Sequence, residues 1–72
     1  MITIDSVPEL GKVPGGTVAM FDLVEGAFAC FEAHRDHRKL VWVAPGDTYE
    51  YTPDDLAYLL PATVVYTPGR RT

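Results

Sequence analysis

Along the chain, short runs rich in β-branched and aromatic residues alternate with prolines and glycines at close intervals. Such punctuation predicts strands joined by turns. Residues 1–7 read as a short first strand ended by Pro8, and residues 9–16 as a loop whose Pro14-Gly15-Gly16 segment is a strong turn signal. Residues 17–23 form the next strand, and Val24-Glu25-Gly26 a tight turn in which Gly26 is free to take positive φ. Residues 27–33 follow as a strand with Phe28 and Cys30 on one face and Ala27, Ala29 and Phe31 on the other. His34-Arg35-Asp36-His37 holds no apolar residue, so the chain is expected to reverse there. Residues 40–44, carrying Trp42, complete a three-stranded meander closed by Pro45-Gly46-Asp47.

A helix is signalled once. Thr52 suits an N-cap, Pro53 the first helical position, and Asp54 and Asp55 the positive end of the helix dipole. Leu56, Leu59 and Leu60 share one face with Tyr58 turned away, and Pro61 stops the helix after about two turns. Residues 62–67 are a last strand. The fold class is therefore mainly β with a minor α part: a small SH3-like barrel or a bent antiparallel sheet of about five strands, with one short helix before the last strand. Several strands are apolar on both faces, which calls for a sheet that curls on itself or one whose outer face meets a partner.

The sequence has 72 residues, enough for one domain (residues 1–69) followed by a flexible basic tail at 70–72. A chain of this size buries only about 60% of its unfolded surface, so its core is thin. Its apolar fraction of 47% excludes a disordered chain. Ten acids against six bases give a net charge of −4, and setting aside Arg70 and Arg71 leaves ten against four over residues 1–69, a balance of −6. Such a body repels phosphate backbones and argues against a nucleic-acid partner. The carboxylates are scattered, several beside turns (Glu25, Asp36, Asp47), rather than spaced along one face as a nucleic-acid mimic requires. No run of apolar residues is long enough to cross a bilayer or shaped like a signal peptide, so the expected setting is cytoplasmic.

Candidate chemistry is sparse. Cys30, His34 and His37, with Glu32 or Asp36, supply zinc-type ligands, but their spacing is not a standard one and no metal site is expected. The single cysteine excludes an internal disulfide. There is no glycine-rich phosphate loop, no nucleophile elbow and no His-Glu zinc helix, and Ser6 is the sole serine. Cys30 with either histidine is formally a nucleophile–base pair, yet it lies in an apolar strand where thiols are usually inert. No catalytic residue and no cofactor are expected. The run from His34 to Lys39 gathers three of the six bases and both histidines into a basic knob able to meet an acidic partner through Arg35 and His37. Tyr49, Tyr51, Tyr58 and Tyr66, with Trp42, are many amphipathic rings for so small a body; Trp42 and Tyr66 are expected in the core, Tyr58 exposed, and Tyr49 and Tyr51 on one aromatic side of a sheet edge. The expected protein-binding residues are thus Tyr49, Tyr51, Tyr58, Arg35 and His37.

Pro14-Gly15-Gly16-Thr17-Val18, then Leu40-Val41-Trp42, then Tyr51-Thr52-Pro53-Asp54-Asp55-Leu56-Ala57, and Leu60-Pro61-Ala62-Thr63-Val64-Val65-Tyr66-Thr67-Pro68 cover most of the chain. In these segments it resembles small uncharacterised proteins of actinobacterial bacteriophages. The resemblance rests on structural punctuation and implies no catalytic residues. It implies a phage product made in a host cytoplasm, binding a host or phage protein. The expected function is a non-enzymatic protein-binding module, with a self-associating structural or assembly (minor virion) protein as the alternative, and with possible homo-oligomers in either case.

Overall fold

The computed structural model describes residues 2–24, 26–36 and 39–68, and the side chain of Val24 is not among what it describes. His37, Arg38 and the tail from Gly69 onward lie outside this set, as does Glu25. Five strands form one antiparallel sheet: β1 (Ile2–Ile4), β2 (Val18–Val24), β3 (Ala27–Asp36), β4 (Lys39–Val43) and β5 (Ala62–Tyr66). Their spatial order is β1-β5-β2-β3-β4, so β1 and β4 are the two edges. A four-residue helix, α1 (Val7–Leu10), lies between β1 and β2, and a 3-10 helix (Pro53–Leu59) lies between β4 and β5.

The mainly β class expected from the sequence is what the chain adopts, and the bent sheet is the form it takes. Ile4 from one edge strand and Leu40 and Trp42 from the other belong to a single buried cluster, so the sheet curls around its core. Register shifts at Val18/Ala19 against β5 and at Asp22/Val24 against β3 mark irregularities of the kind that bend strands. Alternation does the rest. Ala19 and Phe21 of β2, Phe31 and Ala33 of β3, and Ala62 of β5 point inward. The small alanines leave room for the three large rings: Phe21 meets Phe31 edge-on at 5.3 Å and Trp42 at 5.5 Å. Leu10 from α1 and Leu56 and Leu59 from the 3-10 helix close the concave side.

Four sequence expectations require correction. Residues 1–7 are not one strand and residues 9–16 not simply a loop, because α1 intervenes. Ser6 caps it, its hydroxyl accepting from the Glu9 N–H at 3.4 Å, while Glu9 Oε1 accepts from the Asp5 N–H at 2.9 Å. Pro8 falls in the first turn, where its missing N–H costs nothing. Secondly, the chain does not reverse at His34: β3 runs to Asp36, with His34, Arg35 and Asp36 opposite Val41, Leu40 and Lys39. Polar residues stay in strand here because the partner strand satisfies their backbone. Thirdly, the predicted helix is of the 3-10 type. Its Thr52–Asp55 capping box is complete, and the i, i+3 pair Leu56–Leu59 satisfies either helix. Finally, Tyr66 is 57% exposed rather than core, because it ends β5 beyond the packed residues.

Trp42 is fully buried and its indole Nε1–H donates to the carbonyl of Leu10 at 3.3 Å. That carbonyl ends α1, where no helical partner exists. Replacing Trp42 by Phe removes the donor and ring volume together. The expected cost is about 2–4 kcal/mol, against about 0.5 kcal/mol or less for Tyr58→Ala on the exposed side of the 3-10 helix. Urea denaturation of the two variants measures this, and an unchanged midpoint for Trp42→Phe would contradict the assignment.

Candidate interaction surfaces

Three surfaces can be built from these elements. The first begins in the core. The ring contacts continue from Trp42 through Phe21 and Phe31 to Tyr51 (5.4 Å from Phe31) and then to Tyr49, 4.6 Å from Tyr51. Tyr51 is placed by a backbone pair with Trp42: each N–H donates to the other's carbonyl, at 2.8 and 2.9 Å. The preceding segment turns at Gly46, whose φ of 81° favours glycine, and Asp47 Oδ1 accepts from the Tyr49 N–H at 3.2 Å. Tyr49 is 58% exposed yet rests on a partly buried ring that rests on the core. Asp47 and Glu50 flank Tyr49 in the chain, and residues 40–69 carry no Lys, Arg or His.

Tyr58 is 81% exposed, as the leucine spacing predicts, but it makes no ring contact with Tyr49 or Tyr51. The sequence reading set Tyr49 and Tyr51 on one aromatic side and Tyr58 apart on the helix, and the structure brings the first two into contact.

The second surface is the arm formed by β3 and β4. Arg35 faces the same side as Phe31 and Ala33, and its Nη2 donates to the carbonyls of Gly11 at 3.2 Å and Val13 at 3.1 Å. Its donors therefore hold the loop of residues 11–17 against the arm. Gly15 packs on its backbone so closely that a Cβ there would lie 3.3 Å from the Arg35 nitrogen. The Gly16 N–H donates to Ala33 at 2.7 Å and the Ala33 N–H to Thr17 at 2.8 Å, which completes the seam. Arg35 is in this way a clamp, a role that sequence reading missed because its partners are backbone carbonyls more than twenty residues away. His37, the other expected residue of this knob, lies outside the described residues. His34 and Glu32 share the outer face with Nε2 and Oε1 3.7 Å apart. Cys30 is on that face too, opposite Met20, but four residues from His34 along a strand, about 13 Å, too far to share an ion with it. Among the described residues no three His, Cys, Asp or Glu side chains converge.

The third surface is the sheet's outer face. Both helices sit on the inner side, so Val18, Met20, Cys30 and Val43 are only half-buried and Phe28 is 61% exposed. The two-sided apolar character expected from the sequence is thus real; on the same outer face Val41, opposite His34, is buried.

No protein-family model matches the chain, and no curated protein or solved structure matches it. No helix among the described residues is long and apolar enough to cross a membrane.

Arg35→Ala removes both bonds to the loop. The expected result is faster amide exchange at Gly16 and Thr17 with a global loss of about 1–2 kcal/mol, read by hydrogen–deuterium exchange. Protection unchanged across residues 11–17 would show that the backbone seam alone holds the loop.

Proposed function

We propose that the chain is a non-enzymatic protein-binding module whose contact surface is centred on Tyr49. One observation carries this reading: a large, mostly exposed ring is held in place by an edge-on stack that runs back into the core. A ring already ordered in the free protein loses little entropy on binding, which is the property that makes tyrosine effective at interfaces. The carboxylates flanking it in the chain favour a partner surface bearing Lys or Arg and would steer such a partner during encounter. Arg35, spent on the loop, contributes by presenting the arm rather than by touching the partner. The resemblance noted above supports a phage product working in a host cytoplasm on a host or phage protein.

A second reading, a self-associating structural or assembly protein, is favoured by the outer sheet face, where Phe28 stands exposed beside half-buried Met20 and Cys30. It predicts a mass that rises with concentration and falls back on Phe28→Asp.

The deciding experiment is affinity capture from actinobacterial lysate with a C-terminally tagged chain, comparing wild type, Tyr49→Ala, Tyr58→Ala and Phe28→Asp by quantitative mass spectrometry. The expected outcome is a host protein retained by wild type, reduced at least tenfold by Tyr49→Ala, and little changed by Tyr58→Ala. Retention untouched by Tyr49→Ala sinks the proposed surface.

A further inference from the structure

The sheet's two edges are treated differently by the sequence. β4 opens with Lys39, and the backbone of Trp42 is already paired with Tyr51, so that edge is charged at one end and occupied further along. β1 is Ile2-Thr3-Ile4, without a charge, a proline or a bulge, and β5 pairs only one side of it. Edge strands usually carry one of those protections because unpaired N–H and C=O groups template further pairing. Among the described residues, its shortness is the sole protection β1 has. Ile2 on it is 64% exposed.

Beside this strand is a cleft of about 250 Å³, walled by Ile2, Ile4 and Val64 on the sheet and by Val13 and Pro14 of the loop that Arg35 clamps. The loop is thus held as one wall with the strand as the other. An open edge flanked by an apolar cleft is the arrangement that takes an added strand: the main chain supplies the hydrogen bonds and alternate side chains enter the cleft. Charge selects among such segments. Asp5, immediately after β1, and Glu9, lining the cleft, are both exposed; among the described residues Lys12 is the one cation lining it. Among the described residues acids outnumber Lys and Arg nine to three. A cationic segment is attracted and an acidic one is repelled, and a second copy of this chain carries the same excess of acids.

We infer that the β1 edge and its cleft form a peptide-docking site for an extended segment of another protein, with apolar residues at alternate positions and Lys or Arg at its flank. The site lies at the opposite end of the strand order from Tyr51 and Tyr49, and it stands whether or not the Tyr49 surface binds.

The test is an NMR titration of the isotopically labelled full chain with a synthetic peptide, acetyl-Lys-Val-Thr-Val-Thr-Val-Lys-amide. Three comparisons accompany it: the same peptide with glutamate at both ends, a version N-methylated at alternate residues, and the protein variants Asp5→Lys and Lys12→Glu. Saturable shifts are expected at Ile2, Thr3, Ile4, Val13 and Val64, with affinity reduced about fivefold by Asp5→Lys and by the glutamate peptide, and raised about twofold by Lys12→Glu. Binding should be lost on N-methylation. Four results would each overturn the proposal: no shift at millimolar peptide, shifts confined to Tyr49 and Tyr51, equal binding of the N-methylated peptide, or concentration-dependent shifts at β1 in the free protein, which would assign the edge to a second copy. Retention of a partner on the Tyr49 surface in the capture experiment leaves these outcomes unaffected, so the two readings fail separately.

Discussion

The bond from the Trp42 indole to the carbonyl of Leu10 joins residues thirty-two positions apart, and much of the architecture is arranged around it. The same side chain stacks on Phe21, and the backbone of the same residue pairs with Tyr51. One residue therefore ties α1 to the sheet, anchors the aromatic core, and fixes where the segment after β4 returns. A thin core makes such multiple use necessary: with about 60% of the unfolded surface buried, a domain of this size has few residues that are surrounded on all sides. The buried polar atoms of the described side chains all find partners, Thr17 included, whose hydroxyl donates to Pro14 at 2.8 Å. A core this small has no slack for an orphaned donor or acceptor.

What the sequence made legible depends on how local the signal was. Strands β2 to β5 announced themselves through β-branched and aromatic runs bounded by Gly and Pro, and Thr52-Pro53-Asp54-Asp55 marked the 3-10 helix through capping chemistry that any single-turn reading can find. Helix α1 was hidden because four residues are too few for a hydrophobic period; only the Ser6–Glu9 spacing betrayed it. The extension of β3 was hidden because polarity was read as a turn, although a strand that faces water on both sides is free to be polar. Tyr66 was placed inside on residue type alone, whereas its exposure follows from its place at the end of β5. The candidate surfaces divided in the same way. Tyr58 could be assigned from helical spacing, but the stack that orders Tyr49 needed the Trp42–Tyr51 pairing, and the Arg35 clamp needed the fold of a loop distant in sequence.

The surface that results is uneven in a way that composition alone does not show. Positive charge is concentrated in the arm and its described part is spent partly on internal carbonyls, whereas residues 40–69 present carboxylates without a counter-charge. Among the exposed large apolar and aromatic residues, which include Leu23, Tyr58, Val65 and Tyr66, three have a distinctive setting: Phe28 at the outer face, Tyr49 beside the β4 edge, and Ile2 at the β1 edge. Scattered single apolar residues carry no message, but an apolar side chain on an unprotected strand, or one ordered by the core beneath it, has a physical setting in which contact with another molecule is favourable.

The pairing of β1 with β5 sets a condition on when this sheet can exist. Ile2 lies opposite Val64, so the first strand has no neighbour until the last one is made. At roughly 5–20 residues per second of synthesis, the interval between the two is about 3–12 s. Through that time the apolar residues Ile2 and Ile4 wait without a partner strand, and Ile4 and Ala62, which share the core, cannot meet. The β2–β3–β4 meander, built from neighbours in sequence, is free to form while the chain is still growing. Assembly is thus ordered by translation itself, with the ends of the chain closing over a meander already in place.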